Sequence, residues 1–148
     1  MRTNFTKNGR YALIPFLISL LFFGGPYWAQ AQSETQTEPE YIQGWTALEE
    51  AEFHFDVLYA IVKCSPESNP MILLNAFNEG GNVKSIGFTL NFTDGKGKTA
   101  QHIVEKFDIA FADMQIASCD SDEYKNLKFP VPTGLDPSNL AIEITYNK

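Results

Sequence analysis

Alternation of apolar and polar side chains marks a series of short strands along the chain. It is clearest in residues 52–64 (EFHFDVLYAIVKC), where every second side chain from Phe53 to Ile61 is apolar. The intervening positions change from polar to apolar after Asp56. This pattern predicts a strand that is half-buried at first and then covered on both faces. Strand patterns also occupy four further segments, namely 71–78, 83–93, 127–131 and 140–146.

Residues 99–119 fit two different structures. A helix would leave Ile109 and Ile116 on its polar side. Two strands separated by a break near 112–113 would place both isoleucines on apolar faces. We favour the strand interpretation for this reason, and the helix stays open as the alternative.

The strand pattern predicts an all-β fold. About seven short strands, separated by turn residues, are typical of an immunoglobulin-like antiparallel β-sandwich. The segment 94–98 (DGKGK) predicts a hairpin turn. Residues 32–43 are polar and contain Pro39, so we expect a flexible N-terminal segment there and the sandwich domain over 44–148.

The first 31 residues have the order of a secretory signal peptide. Residues 1–10 carry three basic side chains, 11–25 carry no charge, and Ala29-Gln30-Ala31 has the small-x-small spacing of a cleavage site. We therefore predict cleavage between Ala31 and Gln32 and export to the periplasm or the extracellular space. The alternative is a retained anchor helix, because the uncharged stretch extends to Ser33.

Charge excludes some classes of partner. The 148-residue chain has 11 basic and 18 acidic side chains. Cleavage after residue 31 would remove both arginines and leave 8 lysines and a net charge of −10. An acidic surface without arginine is repelled by nucleic acid and by anionic lipid, so we expect neither nucleic-acid binding nor, after cleavage, membrane binding.

Two cysteines and a few flanking residues carry a resemblance. Tyr59-x-Ile61-Val62-x-Cys64, the apolar run 72–74 and a late Cys119 resemble small, uncharacterised exported β-sandwich proteins of bacteria. The Ala-Gln-Ala-Gln region is similar to their leaders. The resemblance covers most of residues 45–147. It implies the sandwich fold and no particular activity, because that group has no assigned activity.

Cys64 and Cys119 are predicted to form one intramolecular disulfide across the sandwich. They are the only cysteines, each follows an apolar strand run, and export would place both in an oxidising space. An inter-sheet bridge of this kind is typical of immunoglobulin-like domains. Two separate thiols, or a nucleophilic cysteine, are the alternatives.

Two groups of polar residues are candidate metal sites. Glu52, His54 and Asp56 share one strand phase, but metal binding would need a further ligand from a neighbouring strand. The acidic residues at 120, 122 and 123 lack the glycine and distal glutamate of a calcium loop. We interpret both groups as solvated surface, and we predict no metal, no cofactor and no catalytic residue.

Function is predicted only at the level of class. Nucleophile-elbow, zinc-protease and dinucleotide motifs do not occur in the sequence. The leading hypothesis is a non-enzymatic module that binds a protein or a glycan, or supports a surface assembly. The alternative is a small carboxylate-dependent hydrolase. A cleft that gathers two or more of Glu52, His54, Asp56 and His102 would favour the hydrolase, whereas a flat sheet face with exposed Tyr or Trp would favour binding.

Overall fold

The described part of the chain is all-β. The structure, a computed structural model, describes residues 38–48 and 54–147, and no α-helix occurs within them. A single 3-10 turn covers Lys125–Leu127. The eight strands are β1 (Glu40–Ala47), β2 (Phe55–Lys63), β3 (Met71–Asn78), β4 (Lys84–Asp94), β5 (Thr99–Ile109), β6 (Met114–Ile116), β7 (Lys128–Pro130) and β8 (Leu140–Tyr146).

The strands form two antiparallel sheets. The five-stranded sheet has the order β1-β2-β3-β6, and β7 also pairs with β3. β6 and β7 share one edge of β3, because β6 pairs with Asn75–Phe77 and β7 pairs with Met71–Leu73. The three-stranded sheet has the order β5-β4-β8.

Alternating side chains build the core between the two sheets. Phe55, Val57 and Ile61 of β2 are buried on one face, and Phe88 and Phe92 of β4 are buried opposite them. Such burial is what the period of two in these segments predicts. Edge-to-face aromatic pairs connect the sheets, with ring centroids 6.3 Å apart for Phe55–Tyr146 and 6.4 Å apart for Phe92–Phe129.

Residues 99–109 form a strand, as the favoured interpretation predicts. The pairing of β4 with β5 is irregular between Ile86, which lies opposite Phe107, and Phe88, which lies opposite Val104. The core-facing side chains Val104 and Phe107 of β5 are therefore three residues apart instead of two or four. A side chain at Gly87 would lie 3.0 Å from the Lys106 amide nitrogen. The absence of a side chain at Gly87 therefore lets the two backbones approach at the irregularity.

Residues 94–98 form the predicted hairpin turn. The buried Asp94 carboxylate accepts hydrogen bonds from the amides of Lys96 and Lys98, both at 2.9 Å. Burial by itself would raise the Asp94 pKa, but these two bonds, together with the positive charge of Lys98 and a backbone hydrogen bond at Asp136, lower the pKa below its usual 3.8. Gly97 has a φ of +78°, a conformation that disfavours other residues. The amides of Lys96 and Lys98 thus hold the Asp94 carboxylate in the turn.

The N-terminal boundary of the sheet differs from the prediction. β1 begins at Glu40, so the last four residues of the segment expected to be flexible, 32–43, belong to the five-stranded sheet. β1 pairs with β2 through a register that is interrupted twice, and this strand brings the number of strands to eight instead of about seven. The predicted signal peptide 1–31 and residues 32–37 lie outside the described residues.

The predicted disulfide is present, but it lies on one sheet. Cys64 and Cys119 are bonded, with Cα atoms 5.3 Å apart. Cys64 follows β2 and Cys119 follows β6, and both strands belong to the five-stranded sheet. The expectation of a bridge across the two sheets is therefore wrong. The sequence shows that each cysteine follows an apolar strand, but it does not show which sheet receives each strand.

Candidate functional site on the outer face of the five-stranded sheet

The two histidines singled out in the sequence lie in different parts of the fold. His102 projects from β5 into the space between the sheets, where its ring stacks on Phe129 with centroids 3.6 Å apart. His54 is exposed at the start of β2 and has a φ of 56°. Glu52 lies outside the described residues. The two histidines therefore belong to different environments, and the described residues do not gather them in one cleft.

Burial affects the chemistry of His102. Its partial desolvation between the sheets lowers the pKa of the imidazole below the ordinary value of 6.5. The neutral ring is the form suited to face-to-face stacking on Phe129 in this apolar layer. His102 is therefore a component of the core contact between β5 and β7.

The acidic loop after Cys119 is exposed. Asp122 forms an ion pair with Lys128 at 3.1 Å, and the Ser121 hydroxyl accepts a hydrogen bond from the Glu123 amide. In the described part of the chain, no group of three or more His, Cys, Asp or Glu side chains is arranged to hold a metal ion.

A broad apolar surface covers the outer face of the five-stranded sheet. In paired antiparallel strands, residues directly opposite each other project on the same side. Because Val57, Tyr59 and Ile61 face the core, the alternate residues of β2 and their partners face outward. We call this surface the apolar outer face, and it comprises Tyr41, Trp45, Leu58, Ala60, Val62, Met71, Leu73, Phe77, Met114 and Ile116.

Exposure increases from the centre of the apolar outer face toward its two sides. Ala60, Val62 and Leu73 are buried at the centre. On the β1 side Tyr41 is 52% exposed and Trp45 is 40% exposed. On the β6 side Met114 is 45% exposed and Ile116 is 44% exposed. Three strand spacings separate the two sides, which corresponds to a width of about 14 Å.

Few polar groups interrupt this face. Asn75 lies between Leu58 and Ile116 in the strand register, and its Oδ1 is buried without a hydrogen-bond partner among the described residues. Asp56, opposite Phe77, and Lys128, opposite Leu73, lie on two of its margins. An apolar centre with charges at the margin is the composition of a protein-binding surface.

The aromatic side of the face depends on how β1 is held. The Gln43 amide donates a 2.6 Å hydrogen bond to the Tyr59 hydroxyl on the inner face of the sheet. The β1 register shifts between Gln43, paired with Ile61, and Thr46, paired with Tyr59. Gly44 and Trp45 therefore both lie opposite the outward-facing Ala60, as at a β-bulge, which places Trp45 on the apolar outer face. β1 and β8 also border a groove of about 600 Å³ that is lined by Thr46 and Tyr59.

The sequence analysis identified no residue of this face as a site, although the sequence itself contains part of the pattern that forms the face. The apolar character of Leu58, Ala60 and Val62 predicts coverage on both faces of β2. It does not show which side faces another sheet. The exposed Trp45 and Tyr41 lie in a strand that had no recognisable alternation, so their position was not predicted.

Two further findings bear on the class of protein. Residues 38–48 and 54–147 contain no helix that is long and apolar enough to cross a membrane. No protein-family model, curated protein sequence or solved structure matches the chain.

Proposed function

We propose that the chain is an exported, non-enzymatic module that binds another protein through the apolar outer face. The observation that carries this proposal is the exposure of Tyr41, Trp45, Met114 and Ile116 on one side of one sheet. Exposed apolar side chains grouped on one face of a sheet are typical of interaction sites, because leaving them in water is unfavourable.

The composition of the face favours a protein partner over a glycan. Sugar-binding platforms combine aromatic rings with polar groups that bond to hydroxyls. Here Met114, Ile116 and Leu58 are aliphatic, and Asn75 is a polar group in the interior of the face. Aromatic and methionine side chains over a dry centre are enriched in protein interfaces.

The alternative of a carboxylate-dependent hydrolase has less support. Its proposed residues include His102, whose ring is stacked on Phe129, and His54, which is exposed in a different part of the fold. General acid–base chemistry requires groups within hydrogen-bonding reach of the same substrate atoms.

Export remains part of the proposal. The Cys64–Cys119 bond supports an oxidising compartment, because cytosolic reductants keep most thiols reduced. The proposed cleavage between Ala31 and Gln32 is tested by sequencing the N terminus of the exported protein. The immunoglobulin-like topology also stays a proposal. Two antiparallel sheets in face-to-face contact support it, whereas a disulfide within one sheet departs from the usual pattern.

Paired surface variants test the binding proposal. The variant Trp45→Ser/Ile116→Ser removes one exposed side chain from each side of the apolar outer face. A matched control, Val83→Ser/Ile103→Ser, removes two side chains that are 66% and 59% exposed elsewhere. Each exported protein carries an affinity tag, and partners are recovered from the native envelope after mild chemical cross-linking.

We expect one protein to co-purify with the wild type and with the control variant. The amount should fall at least tenfold with Trp45→Ser/Ile116→Ser, because truncating apolar contacts in an interface costs on the order of 1–2 kcal/mol each and about 1.4 kcal/mol corresponds to a tenfold change. Equal recovery of that protein with both variants would refute the proposed face. Binding of purified glycans that depends on Trp45 would refute the choice of a protein partner.

A further inference from the structure

A second concave region lies at one end of the sandwich, away from the apolar outer face. A cavity of about 610 Å³ is bordered by the start of β2, the β3–β4 turn, the start of β4, and residues near the ends of β5 and β8. Lys84, Lys106 and His54 line it together with the apolar side chains of Ile86 and Tyr146. Its lining residues in the described part of the chain include no carboxylate.

The two lysines are placed by close backbone contacts. A side chain at Gly80 would lie 3.0 Å from Lys84 Nζ, and one at Gly87 would lie 3.0 Å from Lys106 Cγ. Glycine at these positions therefore leaves room for both lysine side chains. Lys84 Nζ also donates to the His54 carbonyl oxygen at 3.4 Å, which directs its ammonium group toward the start of β2.

Neither Lys84 nor Lys106 forms an ion pair within 4.0 Å among the described residues, where such pairs involve Lys63 and Lys128. Cations without a paired carboxylate in a concave site raise the local concentration of anions. This is notable in a chain with 18 acidic and 11 basic side chains, where most anions would be repelled.

Tyr146 supplies a fixed polar group beside these cations. Its ring packs edge-on against Phe55 and Phe88, with centroids 6.3 and 6.0 Å away. Its hydroxyl is buried and has no hydrogen-bond partner among the described residues. Burial, and secondarily the negative charge of Asp56, raise the Tyr146 pKa to about 12, so the phenol is neutral at physiological pH and able to donate.

From this arrangement we propose that the cavity binds an anionic group, such as a carboxylate, sulfate or phosphate, attached to an apolar or ring-shaped body. Lys84 and Lys106 neutralise the anion, and the Tyr146 hydroxyl donates one hydrogen bond. Ile86 and the Tyr146 ring contact the body of the ligand. This site shares no residue with the apolar outer face, so the anion-binding proposal does not depend on the proposed protein partner.

Amide chemical shifts of the exported protein provide the test. Gly81 and Ser85 line the cavity and serve as reporters. The probes are inorganic sulfate, inorganic phosphate and benzoate, and benzamide is the neutral analogue of benzoate. The variant Lys84→Gln/Lys106→Gln removes both cations. Lys96→Gln/Lys125→Gln is the control, because it makes the same charge change at exposed lysines elsewhere.

We expect saturable shifts at Gly81 and Ser85 with benzoate and weaker ones with sulfate and phosphate. Loss of both cations should weaken benzoate binding at least tenfold, and the Lys96→Gln/Lys125→Gln control should not change it. Benzamide should bind at least tenfold more weakly than benzoate. Tyr146→Phe should weaken benzoate binding by roughly threefold, the loss of one hydrogen bond.

Three results would overturn the proposal. The first is the absence of saturable shifts at these amides with any of the three anions. The second is equal weakening by the two lysine variants, which would mean that the anions respond only to net charge. The third is equal affinity for benzoate and benzamide. Unchanged amide spectra away from the cavity show in each case that the variant is folded.

Discussion

At the scale of single residues, the molecule places several polar side chains where alternation alone would place apolar ones. His102 occupies an inward position of β5 and contacts β7 through Phe129. Asn78 is fully buried at the end of β3, where its amide donates to the carbonyl oxygens of Asn82, Ile109 and Ala110. Such residues form contacts between segments that are distant in sequence, and these contacts favour one arrangement of the strands over others.

His102 should make the stability of the protein depend on pH. Its pKa is lowered in the folded state, so the unfolded state binds more protons as the pH falls. The contribution of neutral His102 is complete above the unfolded pKa of 6.5 and is lost as the pH decreases through and below that value. When the pH is lowered from 7.5 to 5, the free energy of unfolding should therefore decrease less for His102→Phe than for the wild type, as measured by urea unfolding at each pH.

If His102→Phe and the wild type lose equal stability between the two pH values, the proposed role of His102 is wrong.

At the scale of elements, alternation predicted the strands that carry the core. β3 matches the predicted segment 71–78, and β8 matches 140–146. These segments were recognisable because one face of each strand packs between the sheets. β1 was missed because most of its side chains are exposed and its register is interrupted twice, so no period of two survives.

The order of strands could not be predicted in the same way. β6 and β7 share one edge of β3, and nothing local to 114–116 or 128–130 specifies that pairing. This arrangement also determines where Cys119 lies. The disulfide was predictable because the chain has two cysteines and an expected oxidising compartment. Its position on one sheet was not predictable, because it depends on which sheet receives β6.

The disulfide should stabilise this arrangement of short strands. It joins residues 55 positions apart and connects the end of β2 to the segment after β6. Loop-closure entropy for a loop of this length corresponds to about 4 kcal/mol. The variant Cys64→Ala/Cys119→Ala should lose a free energy of unfolding of this order, measured by urea denaturation.

Reduction of the wild type provides the matching control, because it breaks the bond without changing the sequence. The reduced wild type and the double alanine variant should have similar stability. A loss below about 1 kcal/mol in both proteins would contradict a stabilising role for the bridge.

At the scale of the whole molecule, the two sheets differ in what their outer sides present. The outer side of the five-stranded sheet is apolar, with aromatic residues in β1 and aliphatic residues in β6. The outer side of β4 presents Thr89, Asn91 and Thr93, and the first two of these bond to neighbouring polar groups. This asymmetry supports the proposal that a protein partner binds the five-stranded sheet.

The sequence contained part of this asymmetry. β2 is apolar in both phases after Asp56, whereas β4 alternates between Phe88, Leu90 and polar residues. The cavity at the end of the sandwich had no comparable signal. Lys84, Lys106 and Tyr146 come from three strands and meet only through the fold.

Site-specific photo-cross-linking in the native envelope tests the central claim most directly. A photoreactive side chain replaces Ile116 on the apolar outer face, or Ile103 on the other sheet as the control, since both residues are exposed. The account predicts that position 116 cross-links to one discrete protein and that position 103 does not. Absence of a cross-link at 116, or the same product from both positions, would contradict it.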